Sequence, residues 1–132
     1  METATRATVR SRARDRCEYC GIHQRHYVLT FHVEHIVARQ HGGRDDVTNL
    51  AFACHRCNRA KGPNLAGLDP DTGHLTRLFH PRQDVWSTHF HGQAGRILGR
   101  TPEGRTTVQV LQLNQPARVR TRLALEPERF GG

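Results

Sequence analysis

Four cysteines carry the most readable chemistry in the chain. They form two Cys-x-x-Cys pairs, Cys17/Cys20 and Cys54/Cys57, with 33 residues between Cys20 and Cys54. Thiolates two residues apart can grip one metal ion from a tight turn, and four of them close a tetrahedral shell of the kind Zn²⁺ favours. Iron also accepts four thiolates. Disulfides fit the pattern poorly, because the thiols sit in adjacent pairs and no export signal is evident. A redox Cys-x-x-Cys would not need a duplicate. Cys17, Cys20, Cys54 and Cys57 are therefore expected to hold one structural zinc ion. Ten histidines, many for 132 residues, add further candidate ligands and bases.

Charge points to the class of partner. The chain has 20 basic against 12 acidic residues, a formal charge of +8, and every basic residue except Lys61 is arginine. Residues 1–63 carry eleven basic and six acidic groups, and residues 64–132 carry nine and six. A small protein so uniformly basic has the electrostatic footprint of a polyanion binder, most often of nucleic acid. No apolar run is long enough to cross a membrane, so a soluble, cytoplasmic protein without a membrane partner is expected.

The elements that must position these residues can be read coarsely. Residues 3–16 read as a short basic helix with Val9 and Ala13 on one face. Cys17 to Gly21 is a turn, in which Gly21 supplies the backbone freedom a metal knuckle needs. Residues 27–36 alternate, with Leu29, Phe31 and Val33 on one side and Thr30, His32 and Glu34 on the other, which is strand periodicity. A Gly-rich loop follows at 41–46, then a brief apolar run, Leu50–Ala53. Residues 54–61 read as a helix stopped by Gly62-Pro63. Cys54 and Cys57 then share one face of its first turn. Knuckle, hairpin and helix joined by zinc form a treble-clef arrangement, the metal standing in for a core this short chain can barely build.

Between and around the cysteine pairs lie Glu34-His35-Ile36, Gly42-Gly43, Asn49-Leu50 and Cys57-Asn58-Arg59-Ala60-Lys61-Gly62. In this order, over residues 17–63, the segment resembles the HNH endonuclease family, whose active site is a ββα-metal finger. The resemblance implies an α+β fold: residues 1–63 as the HNH core with its four-cysteine zinc site, and residues 64–132 as a small, mixed, basic C-terminal extension packed on it. It implies His35 as the catalytic general base, Glu34 and Asn58 as ligands of a catalytic Mg²⁺ or Mn²⁺, and Asn49 as the residue that holds the loop and orients the histidine. One departure matters. Many members place a histidine four residues after the Asn58 position, where this chain has Gly62.

The chemistry is consistent with that assignment. A neutral imidazole is available near pH 7 to take a proton from water, and oxygen ligands completed by water and phosphate suit Mg²⁺ or Mn²⁺. In an ideal strand, however, Glu34 and His35 point to opposite faces. Both reach one site only if the strand ends or twists there. Arg59, Lys61, Arg118 and Arg122 are candidate phosphate contacts, while His32, His41 and His55 read as structural or substrate-facing, with His55 a possible competitor for metal.

Residues 64–132 say less. Asp69 to Gly73 is a turn, 75–79 is strand-like, and Ile97-Leu98 is a second strand candidate. Thr101-Pro102 fits a helix start. Residues 108–113 fit helix and strand equally, 117–125 has Val119 and Leu123 at helical spacing, and Trp86 and Phe90 read as core. The expected activity is metal-dependent hydrolysis of phosphodiester bonds in nucleic acid, DNA rather than RNA. The alternatives are a zinc-dependent DNA- or RNA-binding module without catalysis, and a zinc scaffold for protein partners. The oligomeric state is not legible.

Overall fold

The computed structural model describes residues 2–131. They form two compact units: residues 2–64 with 80–83, and residues 65–79 with 84–131. None of the helices among the described residues is long and apolar enough to cross a membrane.

In the first unit, α1 (Thr3–Arg12) lays the fully buried Val9 against the hairpin that follows. The helix is shorter than the 3–16 expected. Arg14 and Asp15 are both left-handed, at φ 56° and 60°, and helical bonding cannot continue through such residues. Asp15 instead anchors the turn, its Oδ1 accepting from Arg10 Nε at 2.6 Å. The knuckle comes next. Cys17 N donates to Ile22 O at 3.0 Å and Gly21 N to Cys17 O at 2.9 Å, with Gly21 at φ 84°, where a side chain would be strained.

Strands β1 (His32–His35) and β2 (Leu50–Ala53) pair antiparallel, with Glu34 opposite Ala51 and His35 opposite Leu50. The alternation over 27–36 overstates β1. Residues 27–31 form a loop pinned by the buried Gln24 side chain, which donates to Leu29 O at 2.9 Å and accepts from Phe31 N at 2.6 Å. Phe31 is buried there, but Val28 and Leu29 are exposed. All four residues of β2 are buried. Helix α2 (His55–Lys61) starts at Cys54 and stops at Gly62, φ 50°. Hairpin plus α2 is the ββα-metal arrangement.

The second unit pairs β3 (Ala66–Leu68) with β4 (Leu75–Arg77), and β5 (Phe90–Gln93) with β6 (Arg96–Gly99), both antiparallel. Four helices complete it: α3 (Trp86–His89), α4 (Pro102–Val110), α5 (Pro116–Leu125) and α6 (Pro127–Phe130). Thr101 caps α4 as expected, its hydroxyl accepting from Gly104 N at 3.0 Å. Helix α4 ends where Gln112 turns left-handed, which settles residues 108–113 as helix followed by turn. Phe90 is core at 1% exposure, and Trp86 stacks on it, half-buried, with ring centroids 5.1 Å apart.

Helix α5 inverts the usual amphipathic pattern. Its buried face is Arg118 and Arg122, one turn apart, while Leu123 is exposed. Arg118 donates to Leu111 O at 2.7 Å and Gln112 O at 3.2 Å; Arg122 donates to Gly95 O at 2.7 Å and Leu113 O at 2.6 Å. The left-handed turns after α4, at Gln112, and between β5 and β6, at Ala94 and Gly95, leave carbonyls open, and the guanidinium forks fill them. The expectation that Arg118 and Arg122 contact nucleic acid is thereby corrected: they are interior residues bonded to their own backbone.

Candidate metal centre and active site

The knuckle after α1, the end of β2 and the start of α2 bring Cys17, Cys20, Cys54 and Cys57 together. All four are buried, and their Sγ atoms lie within 4.8 Å of one another. Cys20 Sγ and Cys54 Sγ are 3.7 Å apart, against an edge of about 3.8 Å for a tetrahedron with Zn–S bonds of about 2.3 Å. Backbone amides of Cys20 and Cys57 point at Cys17 Sγ and Cys54 Sγ, each at 3.4 Å. Burial pushes the thiols of Cys17 and Cys57 well above their usual range, so thiolates at this depth require a cation. The cluster fits a structural metal such as zinc.

A second constellation is built around the end of β1. The strand stops at His35, and Glu34, His35 and Asn58 line one cleft of about 430 Å³ together with Arg39. The conflict between opposite strand faces is resolved by the chain leaving the sheet at that residue. Asn58 comes from α2, one residue past Cys57, so the helix that carries part of the cysteine cluster also carries a wall of the cleft. Gly62, in the place of a family histidine, forms part of the rim.

Asn49 holds the intervening loop with its side-chain amide. Oδ1 accepts from Val37 N at 2.9 Å, and Nδ2 donates to Val37 O at 2.9 Å and Arg44 O at 2.8 Å. Gly43 explains the Gly-Gly pair, since a Cβ there would fall 1.7 Å from Val37 O. This cinched loop brings Asp45 to His35, with Nε2 and Oδ1 2.8 Å apart, and Arg39 Nε donates to the same Asp45 oxygen at 2.8 Å. Arg39 and then His35 draw the Asp45 carboxyl below its usual range.

Glu34 is 7% exposed, and its two carboxylate oxygens are already engaged. The Tyr19 hydroxyl donates to Oε1, and Lys61 Nζ reaches Oε2 at 3.3 Å while donating to Ile36 O at 2.9 Å. Burial pushes the Glu34 carboxyl up, against the pull of Lys61 and Tyr19. Burial, and next the charge of Glu34, push the Tyr19 phenol well up, so it stays a donor. Lys61 is 1% exposed. It is a buried tie between α2 and the end of β1, which corrects its expected role as a phosphate contact. Arg59 does stand on the exposed face of α2. His32 and His55 pair with each other at 2.9 Å, and neither they nor His41 line the cleft.

Sequence reasoning missed Tyr19 and Asp45 as partners of the site. Tyr19 sits inside the first Cys-x-x-Cys, where the cysteines absorb attention, and nothing local links it to Glu34. Asp45 comes two residues after Gly43, and its place ten residues after His35 was the available signal.

A ββα finger whose four cysteines fit a structural metal thus presents histidine, carboxylate and asparagine on one cleft. Residues 17–64 match the family model for HNH endonuclease, the family the sequence resembles, over about a third of the chain. No curated protein and no solved structure matches the chain. An HNH domain points to nuclease-type activity on nucleic acid.

Proposed function

We propose that the first unit is a metal-dependent endonuclease that hydrolyses phosphodiester bonds in DNA, with His35 as general base. The observation that carries this reading is the convergence of His35, Glu34 and Asn58 on one cleft beside the metal-stapled helix. The donor set suits a hard cation. Each carboxylate oxygen of Glu34 has used one lone pair and keeps another, and the Asn58 side chain makes no hydrogen bond among the described residues. Glu34 and Asn58 would hold Mg²⁺ or Mn²⁺, which would supply Lewis-acid stabilisation of charge on the phosphate. His35 takes one proton from water. The resulting hydroxide forms a bond to phosphorus, the opposite P–O bond breaks, and the leaving oxygen takes a proton from solvent. Exposed Arg39 at the cleft favours an anionic substrate there, and Arg59 on the exposed face of α2 adds positive charge.

Supercoiled plasmid incubated with zinc-loaded protein, with and without Mg²⁺ or Mn²⁺, tests the proposal. Cleavage should require the added cation, and His35→Ala should lower the rate by roughly 10²–10⁴-fold with zinc content, melting temperature and DNA affinity retained. A His35→Ala variant that cuts as fast as the parent would reject the mechanism.

One observation favours a second reading, a nucleic-acid-binding module without catalysis: both Glu34 oxygens already have protein partners. On that reading plasmid is bound but stays intact at any Mg²⁺ or Mn²⁺ concentration.

A further inference from the structure

The residues on either side of Asp45 are pinned. Arg44 O accepts from Asn49 Nδ2 at 2.8 Å, and Asp46 caps the turn that follows, its Oδ1 accepting from Thr48 N at 3.2 Å while its carbonyl accepts from Asn49 N at 3.0 Å. An exposed carboxylate on a mobile loop would meet a histidine only occasionally. Here the backbone delivers it. Arg39 Nε, 2.8 Å from the same oxygen, fixes the carboxylate a second time. The His35 ring is one-fifth exposed. Its Nε2 meets Asp45 Oδ1, and its Nδ1 has no hydrogen bond among the described residues.

We propose that Asp45 is a positioning residue for His35. It accepts the Nε2–H proton, and so fixes the ring's orientation and tautomer and leaves Nδ1 as the bare nitrogen that faces the attacking water. This deepens the endonuclease reading and rests on it. An imidazole offers one donor and one acceptor, and the partner of one nitrogen decides the state of the other. A carboxylate accepts and cannot donate, so it enforces the Nε2–H form. The same orienting logic operates wherever a buried acid holds a catalytic histidine. Here the acid is exposed, and the rigidity comes from Asn49, Gly43 and Arg39 rather than from burial. Asp45 touches neither water nor phosphate in this role. Removing it should therefore slow the chemical step far more than it changes substrate binding, which it reaches only through Arg39.

The experiment compares the zinc-loaded parent with Asp45→Ala, using ¹⁵N-histidine NMR and single-turnover cleavage of a DNA duplex. In the parent, at a pH where His35 is neutral, Nε2 should show the protonated shift and Nδ1 the unprotonated one. In Asp45→Ala the two shifts should move toward each other as tautomers and ring orientations mix. The maximal cleavage rate should fall roughly 10–100-fold, the usual effect of losing a histidine's outer partner, with half-saturation by DNA and zinc content little changed. A parent in which Nδ1 carries the proton would overturn the proposal. So would Asp45→Ala shifts identical to the parent's, or an unchanged maximal rate. The spectra need no turnover. A parent that cuts nothing would reject the endonuclease reading, while the His35 shifts would still decide the Asp45 pairing.

Discussion

Lys61→Met separates a buried structural charge from a surface phosphate contact. Methionine keeps most of the aliphatic stem and removes the ammonium. The parent Nζ is bonded to Ile36 O at 2.9 Å and paired with Glu34 at 3.3 Å, with the two side chains only 2% and 7% exposed. Removing one partner of a buried ion pair typically destabilises by roughly 3–5 kcal/mol, because the other charge stays buried and uncompensated. Tyr19 remains on Glu34 and offsets a part; the orphaned Ile36 carbonyl adds about 1–3 kcal/mol in the other direction. For a unit of this size each kcal/mol shifts the melting temperature by roughly 4–8 °C, so the fall should be at least about 12 °C with zinc saturating. The loss should also depend on pH. Without Lys61 the Glu34 carboxyl rises further above its usual value. The variant then keeps most of its stability while Glu34 is protonated and loses it as pH rises through the raised folded-state value. Its deficit against the parent therefore grows from acid to neutral pH. Glu34→Gln combined with Lys61→Met should recover most of the melting temperature, since a neutral pair removes the stranded charge. Thermal unfolding at pH 5 and pH 7.5 measures all of this, and DNA affinity against salt measures the rest. A phosphate-contacting lysine would leave melting unchanged and reduce the salt slope by about one. That pair of results would refute the buried-tie argument.

Cys57→Ser should abolish folding of residues 17–64, since structural zinc contributes on the order of 10 kcal/mol; elemental analysis of the parent should find one zinc per chain, and finding neither zinc nor iron would remove the scaffold argument. Asn49→Ala deletes three hydrogen bonds at about 1 kcal/mol each, so protease should nick the 37–46 loop faster while zinc content holds. In the second unit, Asp69 is buried and held by Arg105 at 3.0 and 2.8 Å, which draws its carboxyl far below the usual range. Its stabilising contribution is full above about pH 4 and is lost as pH falls toward the lower folded-state value, so Asp69→Asn should be the less stable protein at neutral pH, with the gap narrowing in acid melts below that point.

What the sequence made legible is what is local. The metal cluster depends on two spacings of three and on one helical turn, and four cysteines leave few other arrangements. That His35 and Asn58 meet at one cleft and Asn49 holds the loop between was readable because their order follows the ββα scaffold, which fixes their separations. The errors arise where a residue's environment comes from distant chain. Alternation at 27–31 looked like strand, yet burial there is decided by Gln24, which pins Leu29 O and Phe31 N and turns Leu29 outward. The partnership of Glu34 with Tyr19 and Lys61 joins three elements, and no spacing rule connects them.

The three misplaced cations share one cause. Composition counts charges without saying where they sit, and Lys61, Arg118 and Arg122 all end inside, donating to backbone carbonyls that irregular turns leave open. A basic sequence of this kind therefore has two populations of charge. One replaces missing core by tying turns together, as a structural metal would at the four-cysteine cluster. The other is free to meet a polyanion. In the first unit the second population includes Arg56 and Arg59 on the exposed face of α2 and Arg39 at the cleft. Arg39 is held by Asp45, the same carboxylate that holds His35. On the proposed reading, a phosphate arriving at the cleft therefore meets a guanidinium and an imidazole already ordered by one acid. Arg56 and Arg59 stand outside that ordering, so their substitution should lower DNA affinity with the base undisturbed, whereas substitution of Asp45 should disturb the geometry of the base.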